Sequence, residues 1–209
     1  MPPLAAKLTA QIDGALALAN AGEVLRAGAR PGSVVWRELR SGRLEALYEM
    51  AYLRLFISWE TFLEESLHRY LCGYVAGHGA IPLRQAALRT IGAAETAVLA
   101  GQQFVSWADP VRVEQRARQF MFGGAYAQVL AAARARIQAF ASVRHRVAHA
   151  SDYARQRFDQ ATMMLAARRY HGAAPGRFLR DWNGLVVPRE RWISTVGTEL
   201  KNLAMQIVP

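Results

Sequence analysis

The sequence of 209 residues predicts an all-α fold: a single-domain, antiparallel helical bundle with long helices and a C-terminal helix that follows an irregular segment. Apolar residues recur at intervals of three and four along several long segments, which is the pattern of helices with a buried face. No stretch of useful length alternates apolar and polar residues as a half-buried strand does. Hydrophobic residues make up 52% of the chain, enough to bury a sizeable core.

The first two predicted helices carry the strongest periodic patterns. Residues 4–26 place leucine and isoleucine at helical spacing, and the glycines and proline of residues 27–33 indicate a connection. Residues 43–75 are apolar on more than one face and therefore predict a central helix. We expect an N-terminal helix and connection over residues 1–40 and a helical domain over residues 41–209, packed together as one compact unit.

Turn and capping residues divide the rest of the chain. Asp109 and Pro110 match the N-cap and first position of a basic helix, and Ser151 can cap another helix. Pro82 can occupy the first turn of a helix that we expect over residues 83–100. The remaining predicted segments are a helix over residues 125–149, a helix over 152–170, an irregular stretch over 172–188 and a final helix over 189–207.

Glu60, Glu64 and His68 are spaced by four along the second helix and therefore share one stripe. One interpretation is a solvated face with weak helix pairs. The other is a polar strip that faces a site or a partner. The stripe is informative because the helix is apolar over most of its remaining surface.

Arginine dominates the charge of the chain. The formal net charge is +10, and Lys7 and Lys201 are the only lysines among 26 basic residues. A guanidinium group offers phosphate a planar fork of donors, so this balance favours polyanionic partners such as nucleic acid. Part of the arginine bias can also reflect genome composition, which carries no function.

Several classes of protein are disfavoured by what the sequence lacks. Cys72 is the single cysteine, so neither an intrachain disulfide nor a cysteine-based zinc site can form. Residues 1–4 lack the pattern of a signal peptide, and no apolar run approaches the ~18 residues that cross a bilayer. There is no P-loop and no Gly-x-Ser-x-Gly elbow. We expect a soluble, cytoplasmic protein with no membrane partner.

Residues 144–149, Arg-His-Arg-Val-Ala-His, close a predicted helix and hold the best candidates for chemistry. The spacing of Arg144 and His149 by itself is near what chance gives in an arginine-rich chain. Five steps on a regular helix leave these two residues roughly 140° apart, whereas His145 and His149 share a face. Arg144 and His149 can act together only if the helix unwinds before His149, or if a second copy of the chain completes the site.

These six residues resemble the Arg-polar-x3-His signature of the HEPN superfamily of ribonucleases. Residues 53–65, Leu-Arg-Leu-Phe-Ile-Ser-Trp-Glu-Thr-Phe-Leu-Glu-Glu, are similar to the second helix of its bacterial RiboL-PSP-HEPN branch. Residues 175–180, Pro-Gly-Arg-Phe-Leu-Arg, and the closing helix also resemble that branch, so the resemblance covers about residues 43–207. It implies an all-α bundle that forms a homodimer, and a metal-independent endoribonuclease active at the dimer cleft.

By position, the resemblance makes Arg144 and His149 the catalytic pair. His145 occupies the polar position after the arginine, where the family more often has Asn. Glu60 matches an acid of the second helix that orients the motif. HEPN ribonucleases often act as toxins or against phage, so the resemblance also implies such a role, with an antitoxin as a further partner.

The residue types suit cleavage of RNA. The 2′-OH of RNA is the nucleophile, so the reaction requires no cofactor and no metal. His149 can remove the 2′ proton or protonate the departing 5′ oxygen, and Arg144 can stabilise charge on the phosphorane oxygens. The arginines expected to hold the RNA backbone are Arg112, Arg116, Arg134 and Arg146.

Two other functions fit the same sequence. A HEPN-like dimer with a basic cleft could bind RNA or a nucleotide without cleaving it. An antitoxin or regulatory module would instead pair with another protein, and Trp36, Trp107 and Trp182 in irregular segments are candidate anchors for it. The same tryptophans could equally pack in the core or against loops.

Overall fold

A computed structural model describes residues 3–209; Met1 and Pro2, at the start of the predicted N-terminal segment, lie outside the described residues. Within that range the chain is mostly helical, which confirms the all-α prediction. The α-helices are α1 (Leu4–Gly28), α2 (Val34–Glu38), α3 (Ser41–Leu71), α4 (Ile91–Leu99), α5 (Pro110–Phe120), α6 (Ala125–Ala132), α7 (Arg134–Ala148), α8 (Asp152–Ala166), α9 (Pro175–Arg180) and α10 (Trp192–Ile207). A short 3-10 helix spans His171–Ala173, and β1 (Trp182–Asn183) pairs antiparallel with β2 (Glu190–Arg191).

Two helices begin at the predicted caps. A side-chain oxygen of Asp109 accepts the backbone N–H of Val111 at 3.0 Å, and Pro110 is the first residue of α5. The hydroxyl of Ser151 accepts the N–H of Ala154 at 3.3 Å, where α8 begins. Short polar side chains of this kind satisfy N–H groups that the first turn of a helix leaves without an internal acceptor.

The prediction of a helix over residues 83–100 is wrong for the first half of that segment. The chain is not helical before Ile91, where α4 begins. The backbone after Pro82 pairs with a distant segment, since the N–H of Arg84 donates to the carbonyl of Phe120 at 2.8 Å. This long-range pairing takes the place of a first helical turn.

Two other predicted boundaries also differ from the structure. The helix expected over residues 125–149 is divided into α6 and α7 at Ala133, whose backbone (φ −93°, ψ 5°) leaves the helical region. The stretch expected to be irregular, residues 172–188, contains α9 and β1. Trp182 of β1 pairs with Arg191 of β2, so order in this stretch depends on a later segment of the chain.

The described chain groups into two compact units, each assembled from separate parts of the sequence. The first unit contains residues 3–9, 58–138 and 200–209, and the second unit contains residues 10–57 and 139–199. Helices α1, α3, α7 and α10 contribute residues to both units. No junction between the units falls at residue 40, because residues 10–57 belong together.

Buried tyrosines tie the first unit together. The hydroxyl of Tyr126 donates to the carbonyl of Leu63 at 2.7 Å, which links α6 to α3. The hydroxyl of Tyr70 donates to the carbonyl of Ile207, which links α3 to the end of α10. The two tyrosine rings meet edge to face with centroids 6.2 Å apart. Each hydroxyl therefore has an acceptor inside the core, as buried polar groups require.

An aromatic cluster fills the core of the second unit. Phe178 of α9 lies at its centre, and its ring centroid is 6.2 Å from that of Phe158, 5.3 Å from Tyr170 and 5.2 Å from Trp192. All four side chains are buried. These contacts join α8, α9 and α10 within the unit, so the short helix α9 is held by packing more than by its own length.

Candidate functional site

Residues 144–149 lie at the C-terminal end of α7, in the second unit. The helix ends at Ala148, but the N–H of His149 still donates to the carbonyl of His145 at 2.9 Å, so the helical turn continues to His149. The imidazole rings of His145 and His149 therefore lie on one face, with centroids 4.5 Å apart and planes inclined by 47°. The shared face predicted for the two histidines is confirmed.

Arg144 lies in the same turn but points to another side of the helix, five positions before His149. It is half-buried, and its Nε is shielded from solvent. The helix does not unwind before His149. Of the two ways in which Arg144 and His149 could act together, only completion of the site by a second copy therefore fits the geometry.

The guanidinium of Arg146 secures the end of α7. Its Nε donates to the carbonyl of Ala173 at 3.1 Å, and its Nη1 donates to the carbonyl of His149 at 3.2 Å. A cation at this position is favoured because carbonyls at the C-terminus of a helix lack internal donors. The sequence predicts that Arg146 contacts the RNA backbone, whereas in the structure its guanidinium holds the protein backbone at His149.

The first turns of α8 supply two residues that the sequence analysis did not single out. The ring of Tyr153 meets His145 edge-on, with centroids 6.1 Å apart. Arg157 donates from Nη1 to the hydroxyl of Tyr153 at 3.0 Å and from Nη2 to the hydroxyl of Ser142 at 3.5 Å. The spacing of Tyr153 and Arg157 by four is visible in the sequence, but their contacts with α7 depend on how α8 folds back.

Burial lowers the pKa of His145 below its ordinary value of 6.5. The positive charges of His149, Arg144 and Arg157 lower this pKa further, because each disfavours a protonated ring nearby. His145 is therefore neutral at pH 7, whereas His149 is exposed to solvent. The end of α7 thus presents a neutral imidazole beside an accessible one.

Glu60 and its stripe lie in the first unit. Glu60 is half-buried on α3, with its Oε1 shielded from solvent. His68 is buried and packs edge-on against Trp107, with ring centroids 5.9 Å apart. Glu64 and His68 line a cavity of about 250 Å³, and burial, followed by the charge of Glu95, raises the pKa of Glu64. His68 is therefore not part of a solvated face, whereas Glu60 and Glu64 are half-buried, and the half-buried Trp107 packs against His68.

The three RNA-binding arginines predicted in the first unit differ in accessibility. Arg112 has a side chain that is 71% exposed, with an ion pair to Asp109 at 3.5 Å. Arg116 donates to two glutamine side chains. The Nη2 of Arg134 lies 2.6 Å from Oε2 of Glu114, a carboxylate that is only 5% exposed. Arg134 therefore compensates a buried charge, and Arg112 is the arginine of the three that is most open to a ligand.

No protein-family model, curated protein or solved structure matches the chain. None of the helices within residues 3–209 has the length and apolarity of a membrane span. The described side chains, which do not include that of His171, contain no group of three or more His, Cys, Asp or Glu that could hold a metal ion.

The end of α7 combines the means for proton transfer with positive charge. The two imidazoles have centroids 4.5 Å apart, and the charge of His149 adds to burial in lowering the pKa of His145. Such a pair can accept a proton at one ring and supply a proton from the other. Arg144 and Arg157 add positive charge around His145, which favours a phosphate group as the reacting ligand.

Proposed function

We propose that the protein is a metal-independent endoribonuclease of the HEPN type. The observation that carries the proposal is the histidine pair at the end of α7, where His145 and His149 have ring centroids 4.5 Å apart. The ring of His149 is accessible to a substrate, and the neutral ring of His145 can accept a proton, as a general base must. The net charge of +10 favours a polyanion such as RNA as the substrate.

The proposed cleavage uses the 2′-OH of the RNA as nucleophile. Neutral His145 accepts the proton of the 2′-OH while the 2′ oxygen attacks the adjacent phosphorus, and protonated His149 donates a proton to the departing 5′ oxygen. The P–O2′ bond forms as the P–O5′ bond breaks. The products are a 2′,3′-cyclic phosphate on one fragment and a 5′-OH on the other, and the reaction requires no cofactor.

Arg144 would stabilise the negative charge that builds on the non-bridging phosphate oxygens. Within one copy Arg144 and His149 point to different sides of α7, so we propose a homodimer in which Arg144 of one copy serves the histidine pair of the other. Arg112 and Arg116 would hold the RNA backbone without reading its sequence. For Glu60, the orienting role that the resemblance implies stays a prediction.

Arg144→Ala and His149→Ala test the proposal in cleavage assays on single-stranded and structured RNA. We expect each variant to cleave at least about 100-fold more slowly, the lower end of what is lost with a general acid or base, as for His149, or with a donor to the developing charge, as for Arg144. Arg155→Ala is the matched control, because Arg155 is an exposed arginine of α8 outside the histidine pair. The wild-type fragments should carry 2′,3′-cyclic phosphate ends, and EDTA should leave the rate unchanged.

Two results would contradict the proposal. Undiminished cleavage by both variants would show that the catalytic site does not lie at the end of α7. Wild-type protein that binds RNA and releases it intact would favour the alternative, a binding module without catalysis.

The proposed biological role is a toxin of a toxin–antitoxin pair or a defence against phage, acting on cytoplasmic RNA. Induced expression of the wild type in a bacterial host should arrest growth, and His149→Ala should relieve the arrest. An antitoxin partner would restore growth without any change in the amount of toxin. Growth arrest by the His149→Ala variant at equal expression would contradict this role.

A further inference from the structure

The second unit contains a cavity of about 890 Å³ with an arginine-rich lining. Its volume lies within the range of about 300–1,000 Å³ that is typical of small-molecule sites. Glu45 and Asp181 are the two carboxylates of the lining, so arginines outnumber acids there. The arginines are Arg168, Arg169, Arg177, Arg180 and Arg191.

Three of these arginines are held by carboxylates. The Nε of Arg180 lies 2.7 Å from Oε1 of Glu23, and Nη2 of Arg191 lies 3.4 Å from the same oxygen. Burial alone would raise the pKa of Glu23, but the hydrogen bond from Arg180 and the charges of both arginines lower it below 4.5. Arg168 forms an ion pair with Asp181. The lining is therefore fixed before a ligand arrives, which lowers the cost of binding.

Arg169 and Arg177 are different because both are exposed and uncommitted. Among the described side chains, which do not include that of His171, neither guanidinium has a hydrogen bond or an ion pair. Glu45, the second carboxylate of the lining, accepts a hydrogen bond from the hydroxyl of Ser41 at 3.0 Å. Two free guanidinium groups in one cavity suit a ligand with several charged oxygens, such as a chain of phosphates.

Trp182 adds an aromatic surface to the same cavity. Its side chain is 54% exposed, and the guanidinium carbon of Arg191 lies 4.7 Å from its ring centroid. The pairing of β1 with β2 fixes the backbone of Trp182 opposite Arg191. An exposed tryptophan beside free arginines is a surface on which a planar base can stack.

We propose that this cavity binds a nucleoside polyphosphate, with the phosphates against Arg169 and Arg177 and the base against Trp182. The volume suits one nucleotide better than a strand of several. The proposal does not rest on the ribonuclease activity, because the residues of the cavity take no part in the proposed cleavage.

Isothermal titration calorimetry of the full chain tests the proposal, with ATP and inorganic triphosphate as separate probes. The double variant Arg169→Ala/Arg177→Ala should bind both probes at least about tenfold more weakly, since it loses charge-assisted hydrogen bonds. Trp182→Ala should lower the affinity for ATP about tenfold and leave the affinity for inorganic triphosphate unchanged, because only ATP has a base to stack. Arg155→Ala should bind both probes as the wild type does, and far-ultraviolet circular dichroism verifies that each variant is folded.

Three results would overturn the proposal. The first is a wild type that binds no ATP at moderate salt, and the second is an unchanged affinity in the double variant. The third is displacement of ATP by a short single-stranded RNA that binds this cavity more tightly. That result would show that the arginines of the cavity bind RNA and not a nucleotide. His149→Ala should keep its ATP affinity, so a failed ribonuclease proposal and a failed nucleotide proposal are distinguishable.

Discussion

The imidazoles of His145 and His149 face each other with centroids 4.5 Å apart because the helical hydrogen bonding of α7 continues one residue beyond Ala148. Arg146 supports this arrangement by donating to the carbonyl of His149 at 3.2 Å. The proximity adds to burial in lowering the pKa of His145, since a charge on His149 disfavours a protonated ring beside it. The relation follows from backbone geometry and does not require a bound ligand.

We expect His145 to make the folded protein less stable in mild acid. Its pKa lies below 6.5 in the folded state, whereas the unfolded chain keeps the ordinary value of 6.5. The unfolded state therefore binds more protons as the pH falls through 6.5 towards the folded pKa, and the free energy of unfolding decreases over that window. Above it both states are neutral at this residue, and His145 contributes no pH dependence.

The measurement for this prediction is chemical denaturation of the wild type and His145→Gln from about pH 8 to about pH 5. The variant should lose stability less steeply below the ordinary histidine pKa. Burial also lowers the pKa of His68, and this residue is present in both proteins. The contribution of His145 is therefore the difference between the two proteins in how the free energy of unfolding changes with pH. Equal slopes would show that His145 titrates alike in the folded and unfolded states.

Mixing two inactive variants tests whether the site is shared between copies. In a dimer of Arg144→Ala with His149→Ala, one of the two sites keeps both an intact arginine and an intact histidine pair. Random assortment makes half of the dimers mixed, so the mixture should recover about a quarter of the wild-type cleavage rate. A mixture as inactive as its components would contradict a site built from two copies, and analytical ultracentrifugation would verify that the variants still associate.

Alanine variants of Arg134 and Arg112 should distinguish an arginine that stabilises the fold from one that binds RNA. Arg134→Ala leaves the buried carboxylate of Glu114 with less compensation and should lower the free energy of unfolding by about 1–3 kcal/mol. Arg112→Ala should change stability by less than about 0.5 kcal/mol, because that side chain is 71% exposed. The same change should reduce the slope of log affinity against log salt by about 0.7 for single-stranded RNA. An unchanged salt slope would show that Arg112 does not contact the RNA backbone.

Tyr52→Phe should destabilise the protein by about 1–2 kcal/mol in urea denaturation. The hydroxyl of Tyr52 donates to the carbonyl of Phe140 at 2.9 Å, and both side chains are fully buried. The bond joins α3 to the part of α7 that leads to Arg144. Tyr74→Phe is the matched control, since Tyr74 is 42% exposed and should tolerate the loss of its hydroxyl. Equal stability of the two variants would contradict the prediction.

Substitution by alanine should have opposite effects on the stability of the protein at Gly176 and at Gly14. A Cβ at Gly176 would stand 2.3 Å from the carbonyl oxygen of Glu45, so Gly176→Ala should destabilise the protein by about 3 kcal/mol or more. A Cβ at Gly14 meets no described atom within 4 Å in the middle of α1, so Gly14→Ala should stabilise by about 0.5–1 kcal/mol. Thermal denaturation checks both, and a stable Gly176→Ala would show that α9 can move away from α3.

Local chemistry made several elements predictable from the sequence. Asp109, Pro110 and Ser151 act within one turn of their own positions, so the starts of α5 and α8 followed from residue type. The shared face of His145 and His149 followed from helical spacing for the same reason. The partners of Pro82 and Trp182 lie far along the chain, so the non-helical segment before α4 and the β1–β2 ribbon were not predictable from local pattern.

The sequence by itself determined the all-α class, because apolar periodicity and capping depend on residues within a few positions of one another. It also determined that Arg144 and His149 stand on different sides of α7 while His145 and His149 share one. Only the tertiary structure decided that Tyr153 and Arg157 border His145, that Arg134 compensates Glu114, and that five arginines line one cavity. These relations depend on which helices pack together, and packing is set by side-chain contacts between segments that lie far apart in the sequence.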